Sequence, residues 1–246
     1  MGRHARLATL AEVDTGGLVL AELGCGDGRT VRKLLELDPA PALIHALDHS
    51  AGLPDSLLHD ERVRSRIVDL EEPLPFASAS IDRIVSMNVI EALADPAAFL
   101  RECHRVLRLG GLAVIGHTDF DTALFTSADN ALTRQLVDRF VAHVPGWADQ
   151  ADGFTGRKLP SLAADSPFTV VDVHSWADPH RRFDQGSLAW KIAQGMLAAA
   201  ADSGGADGPD LLARAVDWLD GVQALADDGR FLFAVTDVVV VLRRDA

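Results

Sequence analysis

Residues 21–28 read AELGCGDG, directly after the apolar run Leu18, Val19, Leu20. Gly24, Gly26 and Gly28 alternate with other residues at the end of one of the most hydrophobic stretches near the start of the chain. A strand that ends in glycines and runs into a helix exposes backbone N–H groups at the carboxyl edge of a sheet, where a ligand can approach without meeting a Cβ. The run 18–23 (LVLAEL) therefore reads as a buried strand. Residues 28–38 read as the helix after it, with Val31, Leu34 and Leu35 on one face and Pro39 as the stop.

Working outward, strand-length apolar runs recur at 43–48, 62–70, 81–89 and 112–117. A helical pattern lies between the last two, with Asp95 as N-cap, Pro96 at the first helical position and Gly110-Gly111 as the expected end. Strands alternating with helices imply a parallel sheet covered on both faces. The second half is less regular. Residues 121–145 read as helix, 146–166 as loop and 168–176 as strand. Helical stretches at 184–201 and 209–228 flank the turn-rich DSGGADGPD (202–210), which is expected to be mobile, and 231–244 is a long last strand. The expected fold is α/β: a doubly wound, mostly parallel, seven-stranded Rossmann-like sheet with an antiparallel C-terminal hairpin, the connection of which is enlarged into a helical cover. The length, 246 residues, suits a single domain (1–246) with insertions at 118–165 and 177–230.

Composition narrows the partners. Thirty-six acidic residues against 23 basic give a net charge of -13, and Arg101, Arg105, Arg108 and the pairs Arg181-Arg182 and Arg243-Arg244 form no basic stripe, so no nucleic acid is expected. With 48% apolar residues and mean hydropathy +0.11 the chain can bury a large core. The N-terminal MGRHARLATLAEVDTGG has no apolar segment of the signal-peptide kind and no run reaches membrane-spanning length; a soluble, cytoplasmic protein without a membrane partner is expected. Two cysteines, Cys25 and Cys103, make no disulfide framework, and neither they nor the nine histidines show metal-ligand spacing, so no metal is expected. Nothing in the sequence decides between monomer and homodimer.

The glycine spacing is not that of a dinucleotide fingerprint: the third glycine comes one position early, and Arg29 stands where a nicotinamide site wants Gly or Ala. The P-loop pattern is absent too. Instead, polar residues fall at four successive strand ends: Glu22, Asp48, Asp69 and Asn88. With these, the order VLAELGCGDG, ALDHS, VDLEEPLPFASASIDRIVSMNVIEAL, CHRVLRLGGLAVIG resembles the class I S-adenosylmethionine-dependent methyltransferases, in particular their small-molecule branch (methyltransferase type 11-like), over roughly residues 18–117. The resemblance implies S-adenosyl-L-methionine as cofactor. Gly24, Gly26 and Gly28 would let the backbone approach its methionyl and ribose parts, with Cys25 inside the loop packing in a turn. Asp48 would accept both ribose hydroxyls, Asp69 with the backbone of Leu70 would meet the adenine, the main chain of Asn88 would lie near the methionine amino group, and Glu22 would organise the loop from below.

Methyl transfer from a sulfonium needs position and desolvation more than acid/base groups, so catalysis leaves few marks. The candidates follow the fourth and fifth strands: Glu91, and His117, Asp119 and Asp121 in GHTDFDT. His117 has the intrinsic basicity to deprotonate a hydroxyl or amine, or it satisfies backbone groups at the strand end. Asp119 and Asp121 attract a cationic amine or cap the next helix; Asp121 is the better cap and Asp119 the better site residue. Only seventeen residues precede the first strand, too few for a substantial cover, so 118–165 and 177–230 are expected to close over a small-molecule acceptor. Phe120, Phe125, Trp147, Phe154, Trp176 and Trp190 would line its pocket or form core, and Arg157 and Lys158 would hold an acceptor carboxylate or stay solvated. The function expected is methyl transfer to an O or N atom of a small organic acceptor, a secondary metabolite among them. The alternative is a cofactor-binding protein of the same fold without methyl transfer, a pericyclase-like enzyme or a binding partner.

Overall fold

The structure, a computed structural model, describes residues 1–14, 16–146, 151–202 and 208–245. It divides into two units: Met1–His117, Arg157–Ser175 and Val238–Ala246 form the first, and Thr118–Gly156 and Trp176–Asp237 the second.

The strands of the sheet are β1 (Val19–Leu23), β2 (Leu43–Asp48), β3 (Val63–Ile67), β4 (Ile81–Met87), β5 (Leu107–Phe125), β6 (Thr169–Ala177) and β7 (Phe233–Arg243). Their order is β3-β2-β1-β4-β5-β7-β6. β1 lies parallel between β2 and β4, with Leu23 opposite Leu47 on one side and Ser86 on the other. Being central, it buries all but Val19, which is why its sequence is a continuous apolar run rather than an alternation. β7 runs antiparallel beside β5: the Gly110 N–H donates to the Arg244 carbonyl (2.8 Å) and the Arg244 N–H to that of Gly111 (3.0 Å). The mostly parallel sheet with an antiparallel end is the expected architecture.

Helix α1 (Arg3–Leu10) packs on α2 (Arg29–Leu35), and α3 (Asp55–Leu58) follows β2. α4 (Pro96–Val106) turns Phe99, Leu100, Cys103 and Val106 inward, an amphipathic stripe that joins Leu23, Ile84, Ile115 and Val240 in the core of the first unit. Asp95 caps it, accepting the Ala98 N–H at 2.8 Å. The expected end at Gly110-Gly111 is corrected to Val106. Leu107 already pairs with Ile81, and ladder bonding takes over from the helix three residues before the first glycine. α1 was not expected at all; of the two leucines in its RHARLATL, Leu7 is fully buried and Leu10 half-buried.

Two further corrections concern residues 121–166. The helix read over 121–145 starts only at Asn130: α5 spans Asn130–Ala142, and its cap is Asp129, which accepts the Leu132 N–H at 2.8 Å. Asp121, expected as that cap, is on β5 and pairs with Arg134. Residues 121–125 alternate between the core and solvent, burying Ala123 and Phe125, a strand period that the mixed composition of DTALF hides. The loop read over 146–166 contains α6 (Thr155–Ala164), which buries Leu159 and Ala163 in the core of the first unit despite Pro160 within it.

The second unit is built on α5, α7 (Leu188–Ala201) and α8 (Gly208–Asp227), α7 packing against both others. Its core gathers Phe125, Leu136, Ile192, Met196, Trp218, Phe231 and Phe233. Phe125 sits edge-on to Trp218 (5.3 Å between ring centres) and 4.7 Å from Phe233, so it is a core residue. Phe120 packs edge-on to Phe140, Trp190 is half-buried against the same cluster, and Phe154 is exposed. Trp147 and the central residues 203–207 of DSGGADGPD, which carried expectations above, lie outside the described residues.

Candidate functional site

The loop between β1 and α2 holds Gly24, Gly26 and Gly28 at φ +78°, +49° and +74°, the left-handed region where a side chain is strained. At Gly24 a Cβ would also stand 2.2 Å from Val89 Cγ2. At Gly26 it would meet no atom within 4 Å: this face is open, the cradle an added methyl would fill.

Four amide groups of the loop are not free, which corrects the expectation that they await a ligand. Gly24 and Cys25 both donate to the Leu47 carbonyl (2.8 and 3.0 Å), Gly26 donates to Asp48 Oδ2 (2.8 Å) and Gly28 to the Cys25 carbonyl (2.9 Å). The end of β2 thus straps the loop down. Asp48, buried, also accepts the N–H and hydroxyl of Ser50 on Oδ1, at 3.1 and 3.2 Å. Ser50 and Gly52 are site residues the sequence reading missed. A Cβ on Gly52 would lie 2.6 Å from the Gly26 carbonyl, so the segment after β2 closes directly onto the loop. The signal for Ser50 was its place two residues after a strand-ending Asp, a turn-forming pattern.

Glu22 lies beneath the loop, its carboxyl bonded to the Thr30 side chain and the Val31 N–H in the first turn of α2, while Oε2 is buried without a hydrogen bond. Burial, with Asp27 and Asp48 nearby, pushes its pKa up to about 8 against the two hydrogen bonds. Burial likewise pushes the Cys25 thiol up to about 12, which suits a packing role and not a nucleophile.

Asp69 and Leu70 follow β3 and do not end it, because only Val63 of that edge strand is buried and pairing stops at Ile67. The Val68 N–H donates to the Asp48 carbonyl at 2.8 Å, which keeps this segment beside the end of β2. Asp69 is exposed and turns Oδ1 back to the Glu71 N–H (2.9 Å); Leu70 is half-buried against the core. Asn88 follows β4 at φ +57°, its N–H on the Gly116 carbonyl (3.0 Å), and its neighbour Val89 abuts Gly24. Glu22, the glycines, Asp48 and Asn88 therefore meet at the carboxyl ends of adjacent strands, where open α/β sheets bind ligands.

Within β5, and not at its end as the sequence reading had it, His117 is fully buried, with Nε2 3.4 Å from Glu91 Oε2. The chain brings together two candidates the sequence kept apart, at ion-pair distance. Asp119 belongs to the second unit, buried, with Gly156 packed on its backbone and the Thr122 hydroxyl on its carbonyl (2.7 Å). In the same unit the Thr118 hydroxyl donates to buried Asp237 at 2.8 Å, a polar pair absent from the sequence reading. Arg157 and Lys158 are exposed on α6. Among the described residues no cluster of three or more His, Cys, Asp or Glu side chains could hold a metal ion, and no helix is long and apolar enough to cross a membrane.

Residues 21–115 match the family model described as a methyltransferase domain. An uncharacterized 37.1 kDa protein in transposon TN4556 of Streptomyces fradiae is 29% identical over 235 residues, covering 89% of this chain and 61% of its own length. The ubiquinone biosynthesis O-methyltransferase of Xanthomonas oryzae pv. oryzae is 29% identical over 125 residues, 48% of this chain and 50% of its own. The chain thus spans between half and two thirds of these curated relatives. Among solved structures, the YcgJ protein of Bacillus subtilis aligns with TM-score 0.61 at 14% identity, over 99% of this chain and 98% of that one. The [4+2]-cyclase SpnF aligns at 0.55 and 18%, over 99% and 81%. The geranyl diphosphate C-methyltransferase of Streptomyces coelicolor, solved with S-adenosyl-L-homocysteine, aligns at 0.53 and 14%, over 98% and 74%. At these identities the structural likenesses establish the fold.

Proposed function

We propose that the chain, whose residues 21–115 match a methyltransferase domain, is a class I S-adenosylmethionine-dependent methyltransferase that binds S-adenosyl-L-methionine at the glycine loop and transfers the methyl group to an O or N atom of a small organic acceptor. The observation that carries the cofactor reading is the loop itself. The N–H groups of Gly24, Cys25, Gly26 and Gly28 are donated within the chain, and Glu22, Asp27 and Asp48 surround them. A pyrophosphate would meet the carboxylates of Glu22, Asp27 and Asp48 there. A cationic ligand with hydroxyl groups fits, and the open face of Gly26 gives it room.

In this reading Asp48 exchanges its bonds with Ser50 for ribose hydroxyls while Oδ2 keeps the Gly26 amide in place. Asp69 and Leu70 flank the adenine, and the backbone of Asn88 lies toward the methionine amino group. When bound, the cofactor supplies an electrophilic methyl on a sulfonium. His117 takes the proton of the acceptor, its ring oriented by Glu91, and Asp119 contributes to acceptor binding. The helical residues of 118–165 and 177–230 are proposed as the acceptor-binding part. The O-methyltransferase relative supports an oxygen acceptor.

The cyclase SpnF has the same fold, which favours a second reading: a cofactor-holding protein that catalyses no methyl transfer. Calorimetric titration with S-adenosyl-L-methionine, S-adenosyl-L-homocysteine and NAD comes first. Micromolar binding of both adenosyl ligands and none of NAD is expected; failure of both adenosyl ligands would withdraw the proposal. Release of S-adenosyl-L-homocysteine in an acceptor screen then separates the two readings. His117→Ala is expected to lower that release with cofactor affinity unchanged, and wild-type turnover at every pH would make His117 a structural residue.

A further inference from the structure

β6 is the last strand in the sheet order, and no described strand pairs with its outer side. Val170, Val171 and Val173 are 36%, 45% and 45% exposed, an apolar edge in water of the kind sheets extend across. The direction of its backbone groups can be read. The Val173 N–H donates to the Asp172 carboxylate (2.8 Å), outside the ladder, so Val173 and the alternate residues of the strand turn away from β7. Val171, Val173 and Ser175 therefore present their backbone groups outward.

We propose that β6 is a homodimer interface, two copies pairing antiparallel about a twofold axis at Val173. Charge complementarity selects both the partner and the register. A dyad between two residues would set outward backbone groups against inward ones, so the axis passes through a residue. An axis at Asp172 would oppose two carboxylates in a close non-hydrogen-bonded pair, and one at His174 would oppose two imidazoles. Only the axis at Val173 sets Asp172 against His174, twice, with Val171 facing Ser175 and Val173 facing itself across a hydrogen-bonded pair. In the single chain Asp172 and His174 already pair with one another, His174 Nε2 lying 3.2 Å from Asp172 Oδ2, so the dimer exchanges an exposed contact within one strand for two across strands. The same exchange frees the Val173 N–H for the partner carbonyl.

Light scattering of the full chain over a concentration series is the test. Wild type is expected to rise from 26.3 kDa toward twice that mass. Val173→Lys, which places two ammonium groups on the axis, and Asp172→Lys are each expected to stay monomeric. The double variant D172K/H174E is expected to restore the dimer. Cys25 and Cys103 are buried, so Val173→Cys carries the accessible thiol, and a bifunctional thiol reagent is expected to yield a covalent dimer. Circular dichroism and thermal unfolding establish that each variant is folded. Monomeric wild type at all concentrations overturns the proposal, as does a dimer that survives Val173→Lys, and failure of the double variant to restore pairing overturns the register.

Discussion

The glycine loop of the first unit and the aromatic cluster of the second make opposite demands on the chain. At Gly24–Gly28 the backbone does the shaping: side chains are absent where Val89 must approach or where the cradle must stay open. At Phe125, Trp218, Phe231 and Phe233 the side chains do it, ring against ring, with the Trp218 indole N–H on the Thr133 hydroxyl at 2.8 Å. At Gly24 an added atom has no place, and in the aromatic cluster a lost one leaves a cavity. Site chemistry therefore concentrates where the chain is barest, and stability where it is bulkiest.

The largest effect expected is from Phe125→Ala, which opens a cavity among three rings and should lower stability by about 3–5 kcal/mol, read as an unfolding midpoint in urea. A loss below about 1 kcal/mol would break the comparison by showing that Phe125 is spare packing. Gly24→Ala should cost about 1–3 kcal/mol, through the Val89 contact and the left-handed φ, and abolish cofactor binding measured by calorimetry.

Glu22→Gln tests the acid beneath the loop. With a folded pKa near 8 against an ordinary 4.5, the folded state keeps a proton that the unfolded chain has lost. Its contribution is complete below pH 4.5 and drains away as pH rises through about 8, with a slope of up to about 1.4 kcal/mol per pH unit. Midpoints measured from pH 5 to 9 should fall with pH in wild type and flatten in the variant; parallel curves would refute the buried neutral acid. The smallest stability change is expected from Gly26→Ala, about 1–2 kcal/mol from its left-handed φ alone, with cofactor affinity nonetheless reduced at least tenfold. Unchanged affinity would mean that nothing occupies the open face.

The same contrast governs what the sequence disclosed. β2 was read to the residue and β1 nearly so, because a strand buried on both faces has one apolar run and one place to stop. The glycines announced a bare backbone, but not where its amides go: the acceptors are Leu47 and Asp48, on another strand, and only pairing of β1 with β2 brings them in. Asp121 and Asp129 are equally good caps in isolation, and the choice between them was made by Phe125 entering the second core. α6 hid behind Gly156 and Pro160, which depress helix propensity yet are overruled by the burial of Leu159 and Ala163. His117 and Glu91 were each visible as candidates; their pairing was not, because it depends on β4 and β5 lying side by side.

The strap from β2 has a kinetic corollary. Since the loop is held by Leu47 and Asp48, and the segment carrying Asp69 by the Asp48 carbonyl, the proposed ligand site cannot assemble before β1, β2 and β3 have found one another. Such parallel, non-local pairing is a slow event in a folding reaction. In refolding from denaturant, recovery of ligand affinity should therefore trail the return of helical signal, and a ligand present from the outset should slow unfolding without hastening the first collapse.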